Sequence, residues 1–404
     1  MTREDRQVEL AHPLTGVRVI ELGTFIAGPF AGQQLGDLGA EVIKIEQPGI
    51  GDPMRRWRDL GKGDLWWPSI ARNKKSVTLN LSHPRARDIV LKLASSAQVV
   101  LENFRPGTLE KWGIGPDELL KVNPGLVITR VSGFGQTGPR SRQPGFGSIG
   151  EAMGGIRHLT GWPDRPSTRV GISLGDQIAS LFATIGTLGA LRYAERTGRG
   201  QVVDVAIYEA VFALMESLVA DYEVTGYIRG RTGPTLPNVV PSNVYPTADG
   251  SEVLIAANSD AIFERLVKAL ELDELRDNAE VAHHTGRMKH AEHIDRVIAA
   301  KTSTVTASDL LRLLEMADIP HGLIYTAKDI AEDEHYAARG AIRRFDIPGV
   351  GRVAMAAPTP RLTVSPGRID SLGPALGQHT DEVLRNIVGL DPAEVDELRA
   401  EGIV

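Results

Sequence analysis

Residues 17–131 alternate short apolar runs with longer amphipathic stretches, which is the pattern of strands that alternate with helices. The apolar runs predict strands at residues 17–22, 41–45, 76–80, 99–101 and 126–131. Helices are predicted between them, near residues 29–38, 84–94 and 116–120. This alternation favours an α/β domain with a Rossmann-like, doubly wound parallel sheet.

Glycine-bearing loops follow two of the predicted strands. Residues 23–28 form such a loop after the first strand, and Pro29 then stands where the first turn of a helix favours proline. Open α/β sheets bind ligands at the carboxyl ends of their strands, so this loop is a candidate site. It is neither G-x-G-x-x-G nor a P-loop, which argues against a nicotinamide or flavin cofactor. A second glycine-dense segment, residues 133–147, also predicts a functional loop.

Asp176 precedes a stretch in which apolar residues recur at steps of three and four, from Ile178 to Leu191. This spacing predicts a long helix with a buried face, and Asp176 is its predicted N-cap. An N-cap role alone would be enough to explain an aspartate at this position. The alternative is a nucleophile, because a carboxylate at a rigid helix start can attack a thioester. Gly175 beside it allows close approach of a ligand.

The second half of the chain has a different residue pattern from the first. Prolines punctuate a predicted linker near residues 220–245, which separates residues 1–230 from a smaller α+β domain at residues 246–330. Residues 331–404 are predicted to return and complete the large domain.

Composition narrows the classes of function. A chain of 404 residues is too long for a single compact core, so two domains are expected. The net charge of −6 gives no general attraction to nucleic acid or to an anionic membrane. The chain contains no cysteine, which excludes disulfides, thiolate catalysis and cysteine-ligated metals, and no metal site is predicted. The polar first residues and the lack of a predicted membrane span lead us to expect a cytoplasmic protein.

Eight stretches together resemble the class III CoA-transferase family, the formyl-CoA transferase and CaiB/BaiF group, over nearly the whole chain. They are residues 14–22, 27–29, 35–46, 73–76, 102–107, 133–139, 197–201 and 376–380. The resemblance implies that Asp176 is the catalytic nucleophile, which forms an aspartyl anhydride and then an aspartyl-CoA thioester. It also implies an intertwined homodimer, and coenzyme A as a substrate with no permanently bound cofactor.

The resemblance further implies which residues contact coenzyme A. The pantetheine is expected beside Phe25, Ile26 and Ala27, and the adenine and phosphates near Arg72, Lys74 and Lys75. The remaining expected contacts come from the loop after the fourth strand and the turn behind it: Asn103, Phe104, Arg105 and Lys111.

The expected acid substrate is a short dicarboxylate. Ile26, Gln47 and Pro144 depart from the formyl-CoA transferase pattern, and the chain is more similar to the subgroup that handles succinyl-CoA and short dicarboxylic acids. In that subgroup a histidine is found where His158 stands. The far carboxylate of such an acid would pair with a basic side chain. The expected substrate contacts are Gly145, Phe146, Arg157, His158 and Arg169.

Other functions compete with CoA transfer. An acyl-CoA racemase of this fold would need a histidine in the loop that here reads Gly145-Phe146-Gly147, and phenylalanine cannot exchange protons. A CoA-dependent dehydratase or lyase and a CoA-binding partner without turnover both remain open. A dinucleotide oxidoreductase is disfavoured by the missing glycine fingerprint, and a non-catalytic scaffold would not need Asp176.

Overall fold

A computed structural model describes residues 12–58, 61 and 63–404 of the protein. Its internal contacts divide the chain into two compact units. The first unit comprises the described residues up to Arg157, together with Val170–Tyr227 and Gly340–Val404. The second unit comprises His158–Arg169 and Ile228–Arg339.

The first unit contains a six-stranded sheet in which every neighbouring pair of strands is parallel. The strand order is β3-β2-β1-β4-β5-β6, so the winding direction reverses between β1 and β4. This is the order of a Rossmann-like doubly wound sheet, and it confirms the predicted fold class. The strands are β1 Arg18–Glu21, β2 Glu41–Glu46, β3 Lys74–Thr78, β4 Val99–Glu102, β5 Val127–Ser132 and β6 Val202–Ala206.

Helices cover both faces of this sheet. Successive side chains of a strand point to opposite faces, so Ile20, Ile43, Val100 and Ile128 face one core. That core is closed by helices α3 and α5 and by the last 25 or so residues of the chain. The opposite face packs against α8, which itself contacts α1. The helices up to this point are α1 Ala27–Asp37, α2 Trp67–Ile70, α3 Pro84–Ser95, α4 Thr108–Lys111, α5 Pro116–Val122, α6 Gly147–Met153, α7 Ile156–Leu159 and α8 Leu174–Thr197.

The rest of the first unit consists of two helices after β6 and of a carboxyl-terminal segment that follows the second unit. Helices α9 and α10 span Ile207–Phe212 and Leu218–Thr225. The carboxyl-terminal segment contains an antiparallel hairpin and two more helices. These elements are β10 Ile342–Ile347, β11 Gly351–Ala356, α18 Thr380–Val383, a π-helical turn at Leu384–Val388 and α19 Pro392–Ala400.

The second unit has a core of its own, built on a three-stranded antiparallel sheet of order β7-β8-β9. Amphipathic helices pack on it, with buried leucines such as Leu266, Leu310 and Leu314. Its strands are β7 Ser242–Pro246, β8 Glu252–Ala256 and β9 His321–Leu323. Its helices are α11 Asp260–Ala269, α12 Asp273–Arg276, α13 His284–Lys289, α14 Ala291–Thr302, α15 Ala307–Met316, α16 Ala327–Glu332 and α17 Glu334–Ala338.

Helix α8 corrects one expectation from the sequence. Its 24 residues include a window with a mean hydropathy of 1.2, so by length and composition it passes as a membrane span. Half of that window is buried inside the folded chain. The buried side of the helix packs against β5, β6 and α1.

Candidate active site

The glycine loop after β1 is held by the side chain of the residue that follows the neighbouring strand β4. Asn103 accepts a hydrogen bond from the Thr24 amide at 2.8 Å and donates one to the Thr24 carbonyl, also at 2.8 Å. A Cβ at Gly23 would lie 2.5 Å from the Asn103 carboxamide oxygen, so glycine is required there for space. The loop and Asn103 therefore form one packed unit at the point where the sheet reverses direction.

Four other side chains hydrogen-bond to the backbone of this loop and of the start of α1. The Phe25 amide donates to Asp52 Oδ1 at 3.2 Å, and Phe25 adopts a left-handed conformation with φ of 63°. Three donors reach loop carbonyls: Lys44 Nζ to Gly23 at 2.9 Å, Lys74 Nζ to Pro29 at 2.6 Å and Ser180 Oγ to Ala27 at 2.6 Å. Ser180 lies on α8, one turn after Asp176, so the loop is fixed to the helix that carries the candidate nucleophile.

The two lysines belong to a buried network of charges beneath the loop. Lys44 pairs with Glu21 at 3.0 Å and Asp52 at 2.8 Å, and Lys74 pairs with the other Glu21 oxygen at 2.7 Å. Burial alone would lower the pKa of Lys44, but the three carboxylates of Glu21, Asp52 and Glu46 outweigh it and raise the pKa. For Lys74 burial dominates and lowers the pKa to about 8, against the opposing attraction of Glu21.

Asp176 lies in the first turn of α8 rather than at its cap. The helix begins at Leu174 and its N-cap residue is Ser173, whose side chain makes no capping hydrogen bond. The predicted N-cap role of Asp176 is therefore wrong by three positions. It is still an acidic residue in the first turn of a 24-residue helix, where the helix dipole stabilises a negative charge. Asp176 is partly exposed to solvent.

The carboxylate of Asp176 lies against Gly147, the first residue of α6. A Cβ at position 147 would overlap it and would lie only 2.6 Å from its carboxyl carbon. The missing side chain of Gly147 therefore provides the space that the Asp176 carboxylate occupies. The glycine-dense segment at residues 133–147 also folds back on itself, because a Cβ at Gly133 would lie 2.9 Å from the α-carbon of Gly145.

A buried ion pair lies behind this contact. Glu151 on α6 accepts a hydrogen bond from the Gly175 amide at 3.2 Å and pairs with Arg157 Nε at 3.0 Å. The Glu151 side chain is 2% exposed, whereas that of Arg157 is 25% exposed. Sequence reasoning missed Glu151, because nothing in the spacing of α6 reveals that its partner is the amide before Asp176.

A cleft opens at the carboxyl ends of β1 to β4. It has an empty volume of about 500 Å³ that includes space open to solvent. The loop residue Thr24 and the predicted contact Phe104 line it, beside Trp112, whose ring meets Phe104 edge-on at 5.2 Å. Phe104 is the one lining residue that belongs to the predicted contact set, and the residues that were not expected include Asp52, Leu79, Leu81 and Ser82. They follow β2 and β3, as residues at a ligand-binding edge should.

The basic residues around the start of β3 were expected to form a phosphate-binding rim. Arg72 precedes β3, and Lys74 and Lys75 are its first two residues, so all three lie at the amino-terminal edge of the sheet, away from the loop after β4. Arg72 is buried in a two-bond ion pair with Asp37, and Lys75 pairs with Glu41 and Glu382, both at 2.8 Å. Lys74 reaches towards the glycine loop, but its charge is shared by Glu21 and the Pro29 carbonyl. Phosphate contacts from these three residues would have to displace those partners.

The other predicted CoA contacts differ in exposure. Phe25 is half-buried and meets Trp57 edge-on at 5.6 Å, while Ile26 and Ala27 are buried, with Ile26 packed beside Met54 and Trp67. Arg105 and Lys111 are exposed to solvent. The buried pair can present only backbone to a pantetheine, whereas the exposed pair is available for phosphate.

The predicted substrate contacts fall into two groups. Gly145, Phe146 and Arg157 belong to the first unit, and the Phe146 ring is 67% exposed at the N-cap of α6. His158 and Arg169 are exposed residues of the second unit. Within the described part of the chain, no group of three His, Cys, Asp or Glu side chains is arranged to hold a metal ion.

Comparison with known proteins decides the family. The sequence model of CoA-transferase family III matches residues 14–380. The chain belongs to this family. As a family III CoA-transferase it is an enzyme whose substrates are CoA thioesters.

Among its relatives, succinyl-CoA–D-citramalate CoA-transferase of Chloroflexus aurantiacus is 52% identical over 97% of this chain and 98% of the relative. The alpha subunit of succinyl-CoA–L-malate CoA-transferase from the same organism is 41% identical, over 97% of this chain and 92% of that protein. A crystal structure of a CaiB/BaiF family protein from Brucella suis is similar at a TM-score of 0.82 and 31% identity. The similarity extends over 93% of this CoA-transferase and 99% of the Brucella suis chain.

Proposed function

We propose that this CoA-transferase moves CoA from succinyl-CoA or a similar donor to a short dicarboxylic acid, with Asp176 as the covalent nucleophile. The observation that carries the proposal is the partly exposed Asp176 carboxylate in the first turn of α8, which lies directly against Gly147 of α6. A nucleophile of this kind needs an ionised carboxylate and free space for the acyl group.

The proposed reaction has four steps. An Asp176 oxygen attacks the acyl carbon of the donor, and the C–S bond breaks to give a mixed anhydride and CoA thiolate. The thiolate attacks the aspartyl carbonyl and expels the donor acid as its carboxylate, which leaves an aspartyl-CoA thioester. The acceptor carboxylate then attacks that thioester and expels the thiolate. Finally the thiolate attacks the acceptor acyl carbon and regenerates the Asp176 carboxylate, with no net proton transfer.

We further propose that coenzyme A lies along the carboxyl edge of the sheet. Its nucleotide would occupy the cleft beside Leu79, Ser82 and Phe104, with Arg105 and Lys111 as exposed cations for its phosphates. The pantetheine would then follow the backbone of the glycine loop towards α8, because that loop is fixed to both Asn103 and Ser180. No permanently bound cofactor is needed for this chemistry.

The distal carboxylate of the acid is proposed to meet Arg157. Its Nε is held by Glu151, and its guanidinium is a quarter exposed, so its charge is fixed in direction and reachable from solvent. A planar guanidinium matches a carboxylate in geometry. His158 and Arg169 stay candidates for the same contact. The names of the relatives, which include D-citramalate and L-malate as acceptors, favour a dicarboxylate of this size.

A homodimer is also proposed. Helices α8 to α10 expose large apolar side chains within the first unit, a feature that marks protein interfaces. They include Leu181, Ile185, Phe212, Tyr222 and Val224.

The decisive experiment is intact-protein mass spectrometry after addition of succinyl-CoA and then hydroxylamine. Wild type should show a covalent CoA adduct, and peptide mapping should find a hydroxamate at Asp176. Asp176→Ala should form neither. Asp117→Asn is a matched control, because Asp117 is an exposed carboxylate in the first turn of α5, and this variant should label as wild type does. Turnover by wild type without any adduct would overturn the covalent route.

A further inference from the structure

The helix that carries Asp176 is capped by another element. The first four amides of a helix have no partner within it and usually receive one from the N-cap side chain. Ser173 provides no such bond at the start of α8. Glu151 of α6 accepts the hydrogen bond of the second amide, that of Gly175, instead.

The same short helix also forms the surface under the nucleophile. Gly147 and Glu151 are four residues apart on α6 and therefore share one face of that helix. Gly147 touches the Asp176 carboxylate, and a Cβ at Gly175 would lie 2.8 Å from the Gly147 carbonyl oxygen and 3.0 Å from Glu151 Cγ. Both the backbone and the side chain of the nucleophile are thus located by α6.

Arg157 makes this arrangement electrostatically acceptable. A buried carboxylate is costly unless it has a partner of opposite charge. The ion pair between Arg157 Nε and Glu151, at 3.0 Å, supplies that partner. Glu151 can therefore stay buried at the start of α8 and accept the Gly175 hydrogen bond.

We propose that Glu151 is a positioning residue, which holds the first turn of α8 so that the Asp176 carboxylate points at the acyl carbon. The inference rests on the proposed role of Asp176. Displacement of a reacting group by about 1 Å costs on the order of 100-fold in rate, so loss of this cap should affect the chemical step.

The test compares the rate constant of Asp176 adduct formation with the fraction of protein that forms the adduct, by quenched-flow mass spectrometry with succinyl-CoA. Glu151→Ala should lower the rate constant on the order of 10- to 100-fold, with unchanged affinity for CoA. Glu151→Gln keeps an oxygen that can accept the Gly175 hydrogen bond, and should recover most of the rate. Because glutamine is close to glutamate in shape, the Glu151→Gln variant still tests the proposal if the alanine variant does not fold.

Asp37→Asn is the matched control. It breaks another buried ion pair, with Arg72 at the amino-terminal edge of the sheet, and should reduce stability without changing the rate constant. A purely structural Glu151 would reduce the reactive fraction and leave the rate constant at the wild-type value, which would overturn the proposal while Asp176 stands. Absence of any adduct in wild type would overturn both.

Discussion

The carboxylate of Asp176 lies directly on Gly147, and any side chain at position 147 would occupy the space of that carboxylate. The backbone of Gly147 does not adopt a positive φ, so the residue is glycine for space and not for conformation. The contact links α8 to α6 and determines where the nucleophile can point.

Gly147→Ala should therefore inactivate the enzyme without unfolding it. The new methyl group would push the Asp176 carboxylate from its place, and we expect a loss in kcat on the order of 100-fold with CoA affinity preserved. Steady-state kinetics and calorimetric titration of CoA would measure the two quantities. Gly125→Ala is the control, because a Cβ there would lie at ordinary contact distances of 3.5 and 3.6 Å. Normal kcat in Gly147→Ala would refute the steric argument.

Asn103→Ala should weaken CoA binding. The variant removes both hydrogen bonds to Thr24, each of which contributes about 1 kcal/mol, and so loosens the glycine loop. The KM for acyl-CoA should rise by roughly tenfold or more, with a smaller change in kcat.

Asn123→Ala provides a comparison for the Asn103 variant. Asn123 also ties loop backbone through its side-chain amide, with bonds to Ala94, Ala97 and Gly125, but it precedes β5 at the opposite edge of the sheet. It should reduce stability and leave the KM unchanged. Equal KM values for both variants would contradict a role of Asn103 at the CoA site.

The sheet and its ligand-binding edge could be predicted because apolar runs and glycine loops are local signals. Arg72, Lys74 and Lys75 lie at or just before the start of β3, which is the amino-terminal edge of the parallel sheet. Their ion pairs with Asp37, Glu21 and Glu41 could not be predicted, because those partners lie on other elements of the fold. Asn103 follows β4, and its two hydrogen bonds to Thr24 place it against the glycine loop.

The polar groups beneath the site were not predictable in this way. Glu21 and Lys44 read as ordinary strand residues, yet both side chains are almost completely buried. Gly32 on α1 has no Cβ, which leaves the space for the Glu21 carboxylate. Such a network depends on contacts between three strands and a helix, and no spacing along the chain encodes it.

Lys74→Met should destabilise the protein far more than Lys75→Met. Removal of one partner from a buried pair leaves Glu21 with a single cation and costs about 3–5 kcal/mol of the unfolding free energy. Lys75 is an adjacent residue with a comparable number of ion pairs, but its side chain is 32% exposed, and its loss should cost about 1 kcal/mol or less. Urea denaturation would measure both. Equal losses would show that the Glu21 carboxylate does not depend on Lys74.

The stability contributed by Lys74 should depend on pH. Its pKa falls from 10.5 in the unfolded chain to about 8 in the fold, so between these values the unfolded state binds more protons. The free energy of unfolding must then rise with pH across this window, while the cost of the buried charge is fully present below pH 8. The difference in the free energy of unfolding between wild type and Lys74→Met, followed as a function of pH, separates the contribution of Lys74 from that of other titrating groups. A difference that is flat from pH 7 to 10 would mean that the pKa of Lys74 is not lowered.

Ile185→Asp should disrupt the proposed homodimer. Ile185 is 64% exposed on α8, beside Leu181 one turn earlier, so in a dimer its carboxylate would be buried without a partner. Light scattering after gel filtration should give twice the 43.6 kDa chain mass for wild type and a lower mass for the variant. Val122→Asp is the control, since Val122 is an exposed apolar residue of α5 outside this face, and it should keep the wild-type mass. A dimer that tolerates Ile185→Asp would place the interface on another surface of the first unit or on the second unit.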